Sequence, residues 1–319
     1  MARRDTPSRW ARRTERSGAK RRLAIAGIAV FAVVDVVLIG FALGFFGGGD
    51  AAPTASSSSA PAVIASETPT PQPSAPLPAP EATPVLRTLS AVDGQVAWRA
   101  ERGSCDAQAV IEVTDDGGAS WRPTQPSAVG GRQVLWLWAQ DDDYAQAVVT
   151  TGDDCTVDGI RTFTSGDFWQ SNDDALGAAA YLDGSFAMVT PSGVAAPCDA
   201  PVQVAEDVAI TVLCADGTLQ RSTDEGANWA TSTVAGAVSF SPTTDGFALA
   251  VQGAPSCQGI AVLYLSQQGF DEGTAPAETG LCVSGAVDPA ATVLDADDDA
   301  VWLWSGAEVG IADAEVLRS

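Results

Sequence analysis

Two eight-residue segments of this chain repeat one polar pattern, Ser/Thr-x-Asp-x-Gly-x-x-Trp. One is Ser222-Thr223-Asp224-Glu225-Gly226-Ala227-Asn228-Trp229; the other is Thr114-Asp115-Asp116-Gly117-Gly118-Ala119-Ser120-Trp121. The pattern describes a turn rather than a reaction. An Asp carboxylate in a hairpin loop accepts backbone N–H bonds and holds the turn closed. Gly supplies the positive φ of the next corner. The Trp then falls on the following strand, where it packs over the loop, and the loop fixes the register of the hairpin. Thr164-Ser165-Gly166-Asp167-Phe168-Trp169 reads as a shortened copy and Ser266-Gln267-Gln268-Gly269-Phe270 as a weaker one. Each copy follows a cysteine (Cys105, Cys155, Cys214 or Cys257) by 8 or 9 residues, so the repeated unit is longer than the box.

The surrounding sequence is built from short apolar or alternating runs: 95–99, 109–114, 134–138, 145–150, 208–214, 247–251, 260–265 and 301–304. Gly, Asp, Asn, Pro and Ser separate them. No stretch beyond about 12 residues keeps a helical period. Many short strands with evenly spaced turns indicate a sandwich, a barrel or a propeller. Residues 85–319 are long for one sandwich and suit a propeller at about 40–45 residues per blade.

On the residues of its two complete boxes, the chain resembles the Asp-box, or BNR-repeat, β-propellers of the sialidase-like and photosystem-assembly-factor-like kind. The resemblance spans residues 85–319. It implies an all-β propeller of about six irregular blades, with five or seven left open, and boxes on hairpins away from the active face. Thr164 and Ser222 are 58 residues apart, which leaves room for a short extra blade around 178–196. Six cysteines, Cys105, Cys155, Cys198, Cys214, Cys257 and Cys282, all follow the apolar span described next. An even number outside the cytoplasm indicates three disulfides, for which fifteen pairings exist. Partners in the same or adjacent blades are expected: Cys105–Cys155, Cys198–Cys214 and Cys257–Cys282.

Charge divides the chain. Residues 1–22 hold nine basic side chains against Asp5 and Glu15; residues 23–46 are apolar except for Asp35. Residues 47–319 hold 8 basic and 37 acidic side chains. As a helix, 24 residues reach about 36 Å, more than the ~30 Å of bilayer hydrocarbon. The run is longer than a signal-peptide core, and Gly47-Gly48-Gly49-Asp50 offers no clear cleavage site, so an uncleaved anchor is expected. The basic flank puts residues 1–22 in the cytoplasm and the remainder outside. Asp35, at mid-span, is either protonated among apolar neighbours or paired with a polar group on another membrane helix. Residues 47–84, rich in Pro, Ala, Ser and Thr, read as a disordered tether.

The chain has no histidine, which excludes a Ser-His-Asp triad, a histidine base and a histidine-bound metal. A sialidase needs an arginine triad and a Tyr–Glu pair. The arginines Arg87, Arg99, Arg102, Arg122, Arg132, Arg161, Arg221 and Arg318 stand in no such context, so no catalytic role is assigned. The segment Asp295-Ala296-Asp297-Asp298-Asp299 begins like a calcium loop but has Ala300 and Gly306 where such a loop needs Gly and Glu. Its acids, with Asp141-Asp142-Asp143, are read as solvated. Trp136-Leu137-Trp138 and Trp302-Leu303-Trp304 are read as core, with an aromatic binding platform as the alternative. The acidic outer region repels nucleic acid. The expectation is a membrane-anchored, extracellular, non-enzymatic propeller without a cofactor that binds an envelope protein or glycan; a sialidase-like glycan hydrolase is the alternative.

Overall fold

The computed structural model describes residues 83–318 except residue 286. The basic tail (1–22), the apolar span with Asp35 (23–46) and nearly all of the tether (47–84) lie outside the described residues. Among the described residues no helix is long and apolar enough to cross a membrane.

Every expected run overlaps a strand. Sheet I is β1 (Arg87–Ala91), β2 (Ala97–Glu101), β3 (Ile111–Thr114) and β4 (Arg122–Thr124). Sheet II is β5 (Gly131–Ala139), β6 (Ala145–Thr151), β7 (Thr156–Thr162) and β8 (Trp169–Ser171). Sheet III is β9 (Tyr181–Leu182), β10 (Met188–Thr190) and β11 (Gly193–Ala195). Sheet IV is β12 (Pro201–Glu206), β13 (Ile210–Cys214), β14 (Thr218–Ser222) and β15 (Ala230–Thr233). Sheet V is β16 (Ala237–Thr243), β17 (Gly246–Gln252), β18 (Gly259–Ser266) and β19 (Ala277–Ser284). Sheet VI is β20 (Thr292–Ala296), β21 (Ala300–Ser305) and β22 (Glu308–Asp313). Each sheet is an antiparallel meander in chain order.

The first strands meet around a common axis. β1 contacts β5, and contacts continue through β9, β12, β16 and β20 back to β1. This is a β-propeller. Its blade count corrects the expectation of about six. Five sheets are full blades, whereas sheet III, with strands of 2 to 3 residues, is a rudiment. It occupies the interval that the box spacing left open. Each junction between successive sheets has its own apolar cluster. Phe240, Phe247, Leu213 and Leu219 fill the one between IV and V, and Trp98, Ile111, Val149 and Ile160 the one between I and II. The remaining four junctions are filled likewise.

First strands of neighbouring sheets share no ladder, so their buried backbone donors need other partners. Side chains supply them. Ala139 N–H donates to Ser90 Oγ (2.9 Å), Phe240 N–H to Gln203 Oε1 (3.0 Å), Leu294 N–H to Ser239 Oγ (2.9 Å) and Ala296 N–H to Ser241 Oγ (3.1 Å). At the junction of VI and I, where the ring's last sheet meets its first, Ala91 N–H donates to Asp295 Oδ2 (2.8 Å).

That junction also holds a stack of alternating rings and guanidinium groups. Arg99 lies 3.9 Å from the Trp121 ring centroid and 4.6 Å from that of Trp304, while Arg87 covers Trp304 at 3.9 Å. Arg87 donates to Ala291 O (2.6 Å) and Gly306 O (2.7 Å) of sheet VI, and Arg99 to Glu112 (2.7 Å). Trp302, fully buried, donates its indole N–H to Asp93 O (2.8 Å). Trp302 and Trp304 are thus core, as expected.

The boxes all connect a third strand to a fourth. Ser222 Oγ donates to Asp224 Oδ1 (2.8 Å) and accepts from Gly226 N–H (2.8 Å), while Asp224 Oδ1 accepts from Asn228 N–H (2.8 Å). Thr114, Asp116, Gly118 and Ser120 repeat this set at 2.8, 3.0 and 2.9 Å. Trp121 and Trp169 each stand edge-on at 6.1 Å to a second-strand Trp of the preceding sheet, Trp302 and Trp98 respectively. Trp229 packs beside Met188 in the junction of III and IV.

Two sequence readings are corrected here. The copy in sheet II is not shortened. It begins at Thr162, whose Oγ1 accepts from Gly166 N–H (3.1 Å), and Thr164 Oγ1 accepts from Phe168 N–H (3.0 Å) in the place of the Asp. Two threonines at that spacing hid a full-length loop. Ser266 starts no box: its Oγ accepts from Gly269 N–H (3.0 Å) as the N-cap of the helix Gln267–Glu272.

Two outcomes are expected in denaturant unfolding. Trp304→Ala opens the stack and destabilises by about 3–5 kcal/mol, whereas Trp138→Ala, on the surface, costs under about 1 kcal/mol. Asp224→Ala removes the bonds from Ser222 Oγ, Asn228 N–H and Asn228 Nδ2 and lowers the denaturation midpoint measurably. Asp167→Ala, which removes only an exposed ion pair to Arg122, stays within about 0.5 kcal/mol. Equal losses at Asp224 and Asp167 would contradict the revised register.

Candidate functional site

The junction bonds run between matching points of β1, β5, β12, β16 and β20, so these strands share one direction. The propeller therefore has an entry face, where the first strands begin, and an exit face, where they end. All six cysteines belong to the entry side. Cys105–Cys155 ties sheets I and II, Cys198–Cys214 ties the lead-in of sheet IV to β13, and Cys257–Cys282 lies within sheet V, as expected. Their Cα atoms are 5.8, 6.3 and 5.6 Å apart.

The exit face is made of first-to-second-strand turns and third-to-fourth-strand loops. Four of the turns share an arrangement that sequence reading missed. Asp93 Oδ1 accepts from Gln95 N–H (2.7 Å) and Val96 N–H (2.8 Å). Asp141 Oδ1 does so from Asp143 (3.0 Å) and Tyr144 (2.6 Å), and Asp297 Oδ1 from Asp299 (2.8 Å) and Ala300 (2.6 Å). Asp183 Oδ1 accepts from Ser185 (2.8 Å) and Ala187 (3.0 Å). The signal was available as an Asp three to five residues before each of these four second strands. Asp141 leads 141–143 as the turn clamp, and in 295–299 the clamp is Asp297, while Asp142, Asp143, Asp298 and Asp299 are exposed. Each first-to-second-strand turn and third-to-fourth-strand loop carries Asp or Glu and no Lys or Arg of its own, while two strand arginines reach the loop 163–168: Arg122 donates to Ser165 O (2.6 Å) and Asp167, and Arg161 lies 5.1 Å from the Phe163 ring centroid.

The acids at 295–299 do not converge as a calcium loop requires. Asp295 is spent on Ala91 and on Ser241 Oγ (2.7 Å), Asp297 clamps its turn, and Asp298 accepts from Thr244 Oγ1 (2.7 Å). Among the described residues no cluster of acids or cysteines is placed to hold a metal ion.

A central cavity of about 410 Å³ runs between the first strands. Val85, in the segment entering the domain, reaches across it to Val202 O of sheet IV (3.0 Å). The buried Arg102 donates to Leu182 O (2.9 Å) and to Asp183 O and lies 4.6 Å from the Phe186 ring centroid. Asp295, Asp297, Glu206, Asp207 and Trp138 line the exit end. Burial pushes the Asp295 carboxyl up to about 6 against the bonds from Ser241 and Ala91, and the charge of Asp297 adds to the rise. Burial also raises the Asp297 carboxyl, with Asp299 and Asp93 adding.

Beside this mouth the exit face carries aromatic side chains. Trp138 is 42% exposed, Phe163 55% and Phe168 57%. Trp138 and Tyr144 meet at 6.1 Å and an interplanar angle of 82°, and Tyr144 and Phe163 at 4.8 Å and 41°. The Tyr144 turn is tied to the neighbouring loop by Ser165 Oγ, which donates to Asp143 (2.6 Å). Trp138 thus departs from the core reading of its Trp-x-Trp pair. The two pairs differ because Trp136 and Trp138 lie on a first strand, whereas Trp302 and Trp304 lie on a second strand, within a junction. The arginines are dispersed: Arg87 and Arg99 in the stack, Arg102 in the cavity, Arg122 on Asp167, and Arg132 on Asp153 (3.0 Å).

No family model and no curated protein matches this chain. Among solved structures, YCF48 bound to a D1 peptide is 15% identical over 75% of this chain and 68% of that one, with a TM-score of 0.27. The GH74 enzyme of Niastella koreensis is 12% identical over 72% of this chain and 37% of its own, with a TM-score of 0.35. A Hadza microbial sialidase, Hz136, is 11% identical over 72% and 52%, with a TM-score of 0.32. These likenesses transfer no activity or partner to this chain.

The position of Asp295 fixes a pH dependence. Its folded pKa lies above the ordinary carboxylate value, so its contribution to stability is complete below about pH 4 and is lost as pH rises through about 6. Asp116, held down to about 2 chiefly by its bond from Ser120, acts with the opposite sign and at lower pH. Denaturation midpoints between pH 4 and 7 are expected to fall by up to about 3 kcal/mol more in the wild type than in Asp295→Asn. Parallel curves would contradict the assignment.

Proposed function

We propose that this chain is a single-pass membrane protein whose propeller stands outside the cell and binds a protein or glycan of the cell envelope without transforming it. The apolar run 23–46 behind its basic flank supports the anchor, and the three disulfides suit an oxidising exterior. Three loops with one hydrogen-bond pattern support a place among the Asp-box propellers. The binding reading is carried by one observation: exposed aromatic side chains gather beside the cavity mouth, at Trp138 of β5, on the turn that Asp141 clamps at Tyr144, and on the hydroxyl-held loop that Ser165 ties to that turn. Rigid aromatic side chains supply contact area at little entropic cost.

The hydrolase alternative draws on Asp295, whose raised pKa suits a general acid. Both of its oxygens already accept bonds that join sheets V, VI and I, which supports a structural role instead. Cross-linking of the full-length protein in its own membranes, read by mass spectrometry, tests the proposal. A reproducible envelope partner is expected, lost with Trp138→Ser/Phe163→Ser and kept with Asp35→Leu. Turnover of an envelope glycan that is abolished by Asp295→Asn would overturn it.

A further inference from the structure

The binding reading leaves the partner's chemistry open, and the exit face narrows it. We propose that the site formed by Trp138, Tyr144 and Phe163 and the surrounding turn carboxylates recognises a cationic polypeptide segment, with Lys or Arg among apolar or aromatic side chains. This inference rests on the binding reading above.

Charge complementarity selects the occupant. The exit-face turns carry Asp142, Asp207 and Asp299 free of the clamping role, and the basic side chains that reach the aromatic group are already engaged: Arg122 on Asp167 and Ser165 O, and Arg161 over the Phe163 ring at 5.1 Å. An anionic ligand meets a face on which carboxylates outnumber these two arginines. A neutral glycan gains nothing from the field and needs a flat, open ring face. The 82° and 41° angles between successive rings form no such platform. A cationic side chain gains twice, from the carboxylates and from the faces of Trp138 and Tyr144. Its apolar neighbours then cover Phe163 and Phe168, which are more than half exposed. Carboxyls at the cavity mouth are raised by burial and by one another's charge, so an incoming cation relieves a repulsion already present.

The test uses full-length protein in detergent, with empty micelles as control, and three labelled dodecapeptides: four repeats of Lys-Gly-Tyr, of Glu-Gly-Tyr and of Lys-Gly-Ser. Fluorescence anisotropy is expected to show saturable binding of the Lys/Tyr peptide, weakening with salt, and none of the Glu/Tyr peptide. The Lys/Ser peptide is expected to bind about tenfold more weakly. Trp138→Ser/Phe163→Ser, both at the surface, is expected to cost about tenfold for the Lys/Tyr peptide alone. Asp142→Asn/Asp207→Asn/Asp299→Asn is expected to weaken both lysine peptides and flatten their salt dependence. The inference is overturned if the aromatic variant binds every peptide as the wild type does, since bulk charge would then explain everything. It is also overturned if the Glu/Tyr peptide binds equally, or if no peptide binds. Failure of all peptides alongside a captured envelope partner would sink the cationic assignment and leave the binding reading standing.

Discussion

A ring of sheets is stable only if its last sheet is joined to its first, and in this propeller that join is made by side chains. No strand crosses between sheets VI and I. Two arginines interleaved with two tryptophans seal the outer part of the junction, and Asp295 seals the inner part through Ala91 and Ser241. Guanidinium groups suit this task because their planar faces stack on rings while their edges still donate hydrogen bonds. Arg87 does both, stacking on Trp304 and donating to two carbonyls across the junction. The same logic of side chains closing gaps between backbones recurs at Ser90, Gln203, Ser239 and Ser241, which satisfy donors that no ladder reaches.

The acidic composition takes on a physical meaning in this frame. Part of the negative charge is structural. Asp93, Asp141, Asp183 and Asp297 each close a turn, and Asp116 and Asp224 each close a box. These carboxylates work by accepting local N–H bonds, so they need no cationic partner and leave the face unneutralised. Rigidity and negative potential therefore arise from the same residues. Four ion pairs appear among the described residues, and three of them, Arg87–Glu101, Arg122–Asp167 and Arg132–Asp153, have an acid that is largely or wholly exposed. Such pairs contribute little to stability.

Much of this was legible in the sequence, and the limits have identifiable causes. The two complete boxes announced hairpins with a fixed hydrogen-bond pattern, and both form it. The cysteine pairing followed from neighbourhood along the ring. The sheet II copy was misread by two residues because Thr164 replaces an Asp by a hydroxyl that can still accept, a substitution no pattern based on carboxylates detects. Ser266 was taken for a box residue because the same hydroxyl chemistry caps a helix. Blade number was obscured because sheet III reaches the ring with strands of 2 to 3 residues, below the length at which alternation becomes visible. The different fates of Trp138 and Trp304 depend on whether the strand is first or second in its sheet, a property of tertiary order that local sequence does not encode.

The account holds that the exit face is fixed in advance by its carboxylate clamps on a closed ring. Amide hydrogen exchange of the full-length protein tests this most directly. The N–H groups of Val96, Tyr144, Ala187 and Ala300 lie at or near surface turns, yet each donates to a clamping Asp. They are expected to exchange as slowly as the amides of the strands they join, in one cooperative unit with β1 and β20. Exchange of these four at the rates of open loops, while the strands remain protected, would contradict the claim that the face is preorganised.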